Sequence, residues 1–121
     1  MVNGFDSASV EKTALIYKFK SKAGGDVIML GPQGDQILNL IGREAAPQGI
    51  VSADQLPAAI DSLELAVARD EAAFAQAQAD AQAQGDSLPR RQGISLRQRA
   101  WPLLDLMRRS QAERRDLTWG V

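Results

Sequence analysis

Residues 52–84 read SADQLPAAIDSLELAVARDEAAFAQAQADAQAQ, and the spacing of their apolar positions decides the fold. Leu56, Ile60, Leu63, Val67, Phe74, Ala77 and Ala81 alternate by four and three, with Asp70 interrupting the seam. That period predicts one amphipathic helix over 53–84, about 45 Å long at ~1.5 Å per residue. Ser52 is a good N-cap, Gln55 completes a capping box, and Val51 can staple to Leu56. Pro57 falls early and is expected to bend the helix slightly. The tail, AQAQADAQAQ, has high helix propensity and little to bury.

The same logic applies downstream. Ser95 and Gln98 form a second capping box, and Leu96, Ala100, Leu103 and Met107 repeat the four-three pattern, widened by Leu104 and Leu106. A helix over 96–115 follows, kinked at Pro102, whose missing N–H leaves the Gln98 carbonyl in need of another partner. Residues 85–93 make a polar loop around Pro89. One short loop between two long helices implies an antiparallel hairpin. The first helix exceeds the second by about ten residues, ~15 Å, so its Ala/Gln end must overhang, fray or meet another protomer.

Around this hairpin lie weaker signals. Leu15, Tyr17 and Phe19 alternate with Lys18 and Lys20, which predicts a half-buried strand. Leu117, Trp119 and Val121 alternate in the same way at the other end, and this terminal strand is expected to pair with the first. Two strands alone are marginal. They must lie on the helices, take a third strand from 27–30, or pair across a dimer. The run Val27-Ile28-Met29-Leu30 suits a strand by its β-branched residues and a helix by Asp26 before it; the reading favours a short helix. Ile37, Leu38, Leu40 and Ile41 have helical spacing that stops at Gly42. Residues 43–51 read as a loop. Residues 1–13 read as a loose extension, leaving 14–121 as one domain. The expected class is α+β and mostly helical: two long antiparallel helices, short helices, and a small sheet formed by the first and last strands.

Composition excludes much chemistry. Among 121 residues there is no cysteine and no histidine. Disulfides, thiolate nucleophiles, the commonest general base and the commonest transition-metal ligand are all absent. The net charge is −1 but uneven: residues 1–85 hold six basic and eleven acidic groups, residues 86–121 eight arginines and four acids. No apolar run approaches the ~20 residues needed to cross a bilayer, and Met1–Thr13 lacks the apolar core of a secretory signal. A cytoplasmic location, with no membrane contact, is the expectation.

Three strings occurring in order carry a resemblance: Tyr17–Pro32 (YKFKSKAGGDVIMLGP), Gln48–Glu64 (QGIVSADQLPAAIDSLE), and Ser95–Met107 (SLRQRAWPLLDLM) with the closing Trp119-Gly120-Val121. Together they resemble a small proteobacterial family, domain-of-unknown-function family 1840, over about residues 14–121. The resemblance implies a bacterial cytoplasmic protein and assigns no activity or site residue.

Candidate sites are few. Gly31-Pro32-Gln33-Gly34-Asp35 lacks the Lys-Ser/Thr of a phosphate loop and places an acid where phosphate would sit, so it reads as a turn opening a helix. The acids Asp54, Asp61, Glu64 and Glu71 read as a solvated helix face; Asp70, on the seam, reads as an inter-helix polar contact or a partly exposed ion pair. Arg97, Arg108 and Arg115 fall near one edge of the last helix and are the candidate anion or partner contacts, while Arg99 and Arg114 point elsewhere. The pI of about 5.4 opposes a phosphate-driven binder, and pairing of these arginines with the acidic helix is the simpler reading. Trp101 and Trp119 read as core. No residue is nominated as catalytic, as a metal ligand or as a cofactor ligand, and no cofactor is expected. The leading expectation is a non-enzymatic interaction or accessory protein, a possible homodimer self-associating through its long helices. The alternatives are a nucleic-acid or polyanion binder through the arginine-rich helix, and a small-molecule binder or carboxylate-based enzyme.

Overall fold

The computed structural model describes residues 15–91 and 93–120; the expected extension over 1–13 and the end of the terminal strand at Val121 lie outside them. Strands β1 (Ile16–Ser21) and β2 (Gly24–Leu30) form a hairpin, followed by helix α1 (Gly31–Leu40), strand β3 (Gly49–Val51) and a single 3-10 turn at Ala53–Gln55. Helix α2 (Leu56–Ala83), helix α3 (Leu96–Glu113) and strand β4 (Leu117–Trp119) complete the chain.

The sheet is antiparallel throughout, in the order β2-β1-β4-β3. The expected pairing of first and last strands is present, with Phe19 opposite Trp119 and Lys20 opposite Thr118. The sheet is wider than expected, because two further strands join it. Residues 27–30 are strand, not helix. Val27 faces Phe19 and Met29 faces Tyr17 across the hairpin, so alternate residues of the run pack against the aromatic side chains of β1. Asp26 sits 3.9 Å from Lys18 Nζ instead of capping a helix. The helix starts after the strand, with Pro32 in its first turn, where a missing N–H costs nothing. Residues 49–51, expected in a loop, pair with β4. Gly49 is required there: a Cβ would stand 2.1 Å from Trp119 Cζ2.

Both capping boxes are present, at Ser52/Gln55 and Ser95/Gln98. Pro57 lies in the first turn of α2, where its ring is tolerated without a broken hydrogen bond. Pro102 lies within α3. The hairpin runs antiparallel, since Glu64 meets Arg108 and Glu71 meets Arg97, one index rising as the other falls.

One buried cluster unites sheet and helices. Tyr17, Phe19, Met29, Val51, Leu117 and Trp119 come from the inner face of the sheet; Ile37 and Leu38 from α1; Leu56, Ile60, Leu63 and Val67 from α2; Leu96, Ala100, Leu103 and Met107 from α3. Helix α3 touches β1, β2 and α2. The α2 seam is buried only as far as Val67; Phe74 and Ala81 are partly buried and Ala77 is exposed. Trp101, expected in the core, is 52% exposed, on the outside of α3 beneath the Arg108 guanidinium.

Candidate functional site

Two surfaces stand out. The first is the outer face of the sheet, where the strand period brings Ile16, Lys18 and Lys20 of β1, Ile28 and Leu30 of β2, Ile50 of β3 and Thr118 of β4 to one side. Ile16, Ile28, Leu30 and Ile50 are 53%, 61%, 61% and 48% exposed. Ile16 stands opposite Leu30, and Ile28 opposite Lys18, so the end of the face away from the β1–β2 turn is apolar. No described strand pairs with the outer edge of β2. Beside that edge, Ile28, Ile94, Gln98, Arg99 and Pro102 line a groove between β2 and α3. Arg99 reaches Gln36 Oε1 at 2.6 Å, while its own Nε is buried without a partner.

The second surface is a cleft of about 550 Å³ at the opposite end of the sheet, where the β1–β2 turn meets the end of α3. Lys20, Lys22, Arg114 and Arg115 line it together with Asp26 and Asp116. The arginines arrive there through the termination of α3. The Arg115 N–H donates to the Ser110 carbonyl at 2.8 Å and the Arg114 N–H to the Gln111 carbonyl at 3.2 Å, a Schellman closure that satisfies the last carbonyls. Arg114 occupies the left-handed position, φ 54° and ψ 48°, usually given to glycine. Asp116 Oδ1 accepts the Ala53 N–H at 2.9 Å, tying β4 to the entrance of α2.

The candidate arginines are divided between these surroundings. Arg97 donates two hydrogen bonds to Glu71, at 2.6 and 2.8 Å. Those bonds and the attendant charge hold Glu71 below its ordinary value and push Arg97 up. Arg108 pairs with Glu64, and Arg114 with Asp54 at 3.2 Å. Three pairs thus cross from the α3 side to the α2 side, all substantially exposed, so solvent screening leaves each of them little to contribute to stability. Arg115 is separate from Arg97 and Arg108 and lines the cleft. Asp70 does form a partly exposed ion pair, but its partner is Arg91 of the connecting loop, at 2.9 Å, not an arginine of α3. Arg91 also lies 4.4 Å over the Phe74 ring, so the returning loop covers part of the overhanging α2 seam.

Tyr17 and Asp35 are a polar pair of different character. The Tyr17 hydroxyl donates to Asp35 Oδ1 beneath the sheet. Burial, then that hydrogen bond, pushes the Tyr17 hydroxyl well above its ordinary 10.0. The pair fixes α1 against β1, and the buried position of Gly34 beside the ring gives it a packing role.

Sequence reasoning missed the cleft and the sheet face for one reason. Lys20, Lys22, Arg114 and Arg115 come from chain ends brought together by the β1–β4 pairing, and no local period marks them. The only available signal was the alternation that places Lys20 outward on β1. Among the described residues, no group of three or more acids is placed to hold a metal ion, and no helix is long and apolar enough to cross a membrane.

Neither the curated proteins nor the solved structures contain a match to this chain. The family model described as domain of unknown function (DUF1840) matches residues 15–119, spanning β1 through β4, and the chain belongs to that family.

Proposed function

We propose that this chain is a non-enzymatic interaction protein of the bacterial cytoplasm whose working unit is a homodimer, assembled through the β2 edge and the apolar end of the outer sheet face. The observation that carries the reading is a seven-residue edge strand, Gly24–Leu30, whose half beyond its one charge, Asp26, holds neither charge nor proline and leaves Ile28 and Leu30 each 61% exposed. Natural edges of that length are blunted by charge, proline or a cover. The opposite edge, β3, obeys that rule by being three residues long.

A second copy is the occupant that suits this edge. Two antiparallel edges are self-complementary about a two-fold axis, and pairing two β2 strands would extend one four-stranded sheet into eight. Ile28 and Leu30 of both copies would then meet on a shared outer face, flanked by Ile16. Each copy brings Asp26, with Lys18 one strand behind it, so charges of both signs border the junction. The long helices offer less to a partner, because their shared seam is buried within the chain up to Val67. The exposed remainder of α2 is Ala/Gln-rich.

Amide hydrogen exchange at low and high protein concentration tests the reading. The β2 amides should become more protected as concentration rises, with those of residues 72–83 unchanged. Protection that is independent of concentration in β2, or that rises only in residues 72–83, would remove the β2 interface.

A further inference from the structure

We propose that the cleft between the β1–β2 turn and the end of α3 binds a small phosphate-bearing ligand, a phosphomonoester of sugar-phosphate size. The argument begins with charge. Of the six ionisable residues named in its wall, four are cations and two are carboxylates, a surplus of two positive charges on a chain whose net charge is −1. Lys20, Lys22 and Arg115 make no ion pair among the described residues, whereas Arg97 and Arg108, on the helical hairpin, are already paired with Glu71 and Glu64. A phosphomonoester carries a charge of roughly −1.5 to −2 near neutral pH, close to that surplus.

Size and shape narrow the class. A volume of about 550 Å³ is within the ordinary small-ligand range of roughly 300–1,000 Å³. The free cations converge on one cleft and do not form a track, as a nucleic-acid strand would require. Asp26 and Asp116 stand in the same wall, where they repel a long polyanion but can accept hydroxyl groups carried by the ligand. At the negative end of α3 the Gln111 and Ser110 carbonyls are occupied by the Arg114 and Arg115 N–H groups, which lessens their repulsion of an anion.

The backbone determines how the arginines reach the cleft. Arg114 holds the left-handed conformation that closes the C-terminus of α3. Here it turns the chain back from α3 into β4 and brings Arg115, which makes no ion pair among the described residues, into the wall of the cleft beside Arg114, whose own guanidinium pairs with Asp54. The site lies at the opposite end of the sheet from Ile16 and Leu30 and shares only Asp26 with the β2 edge, so loss of binding in the Lys20/Lys22 variant is read separately from self-association.

The test is an amide-resonance titration of the full chain at low salt with inorganic phosphate, with ribose 5-phosphate and with a short single-stranded RNA. Ribose 5-phosphate should saturate, with shifts confined to residues 20–22, 26 and 114–118, and should bind more tightly than inorganic phosphate. The double variant Lys20→Glu/Lys22→Glu should weaken it by roughly tenfold or more, while Arg97→Gln/Arg108→Gln should leave it unchanged. An absence of localised, saturable shifts with ribose 5-phosphate overturns the proposal. So does RNA binding that shifts residues 97 and 108 and is lost in the Arg97/Arg108 variant. Equal affinity for inorganic phosphate and ribose 5-phosphate removes the sugar-phosphate assignment.

Discussion

Gly34 lies so close to the Tyr17 ring that a Cβ at this position would stand 2.0 Å from Cδ2 and under 3 Å from two more ring atoms. The contact seats α1 against β1, and it leaves Gly34→Ala no room. Overpacking of this kind costs about 3 kcal/mol, offset by the ~1 kcal/mol that alanine gains in a helix. A net loss of about 2 kcal/mol is expected in urea unfolding; an unchanged or raised midpoint would contradict the packing.

The same ring carries a pH prediction. Tyr17 is the only tyrosine, so tyrosinate absorbance reports it alone. Its hydroxyl is held above the ordinary 10.0 by burial and by the bond to Asp35. The folded value is raised, so the stabilising contribution is complete below pH 10.0 and is lost as pH climbs toward the folded value. Tyrosinate should therefore appear only well above pH 10.0, together with unfolding, and Tyr17→Phe should unfold at higher pH than the parent chain. A free titration centred at 10.0 in the folded protein would refute the assignment.

Arg114 makes the opposite kind of prediction. Relieving its left-handed strain with Arg114→Gly removes a penalty of about 1 kcal/mol and loses an Asp54 pair that is exposed at both ends, 77% and 86%. The substitution should raise the urea midpoint while leaving the fold intact. A lowered midpoint would mean that the pair outweighs the strain.

At the helix entrances the expectation is conventional. The Ser95 hydroxyl accepts the Gln98 N–H at 3.2 Å, and the Ser95→Ala variant should lose about 1 kcal/mol. A loss measurable only at low salt would instead point to the ion pairs nearby.

Most of the helical architecture was legible because helices declare themselves locally. The four-three seam as far as Val67, the two Ser/Gln boxes and the glycines at 42 and 85 are each complete within a few residues, and the structure has each of them where the local pattern predicts it. Strands are different. Val27-Ile28-Met29-Leu30 is apolar at every position, so period cannot separate strand from helix; the choice is made by Tyr17 and Phe19, which are distant from the run until the hairpin closes. Gly49-Ile50-Val51 is too short to show a period and owes its place to Trp119. The seam's end at Val67 was not legible either, since Phe74 continues the pattern but finds only Arg91 and the returning loop. The candidate arginines behaved likewise. Arg97 and Arg108 met the acidic helix, as their charge suggested, but nothing in the local sequence joins Arg115 to Lys20 and Lys22.

Self-association through β2 is the central claim, and sedimentation velocity across the micromolar range tests it most directly. The 13.1 kDa chain should give way to a species of twice that mass as concentration rises, whereas Ile28→Lys/Leu30→Lys, altering two exposed side chains, should keep its helical content and remain at the single-chain mass. A parent chain that stays at 13.1 kDa throughout, or a variant that doubles as readily as the parent, would contradict the account.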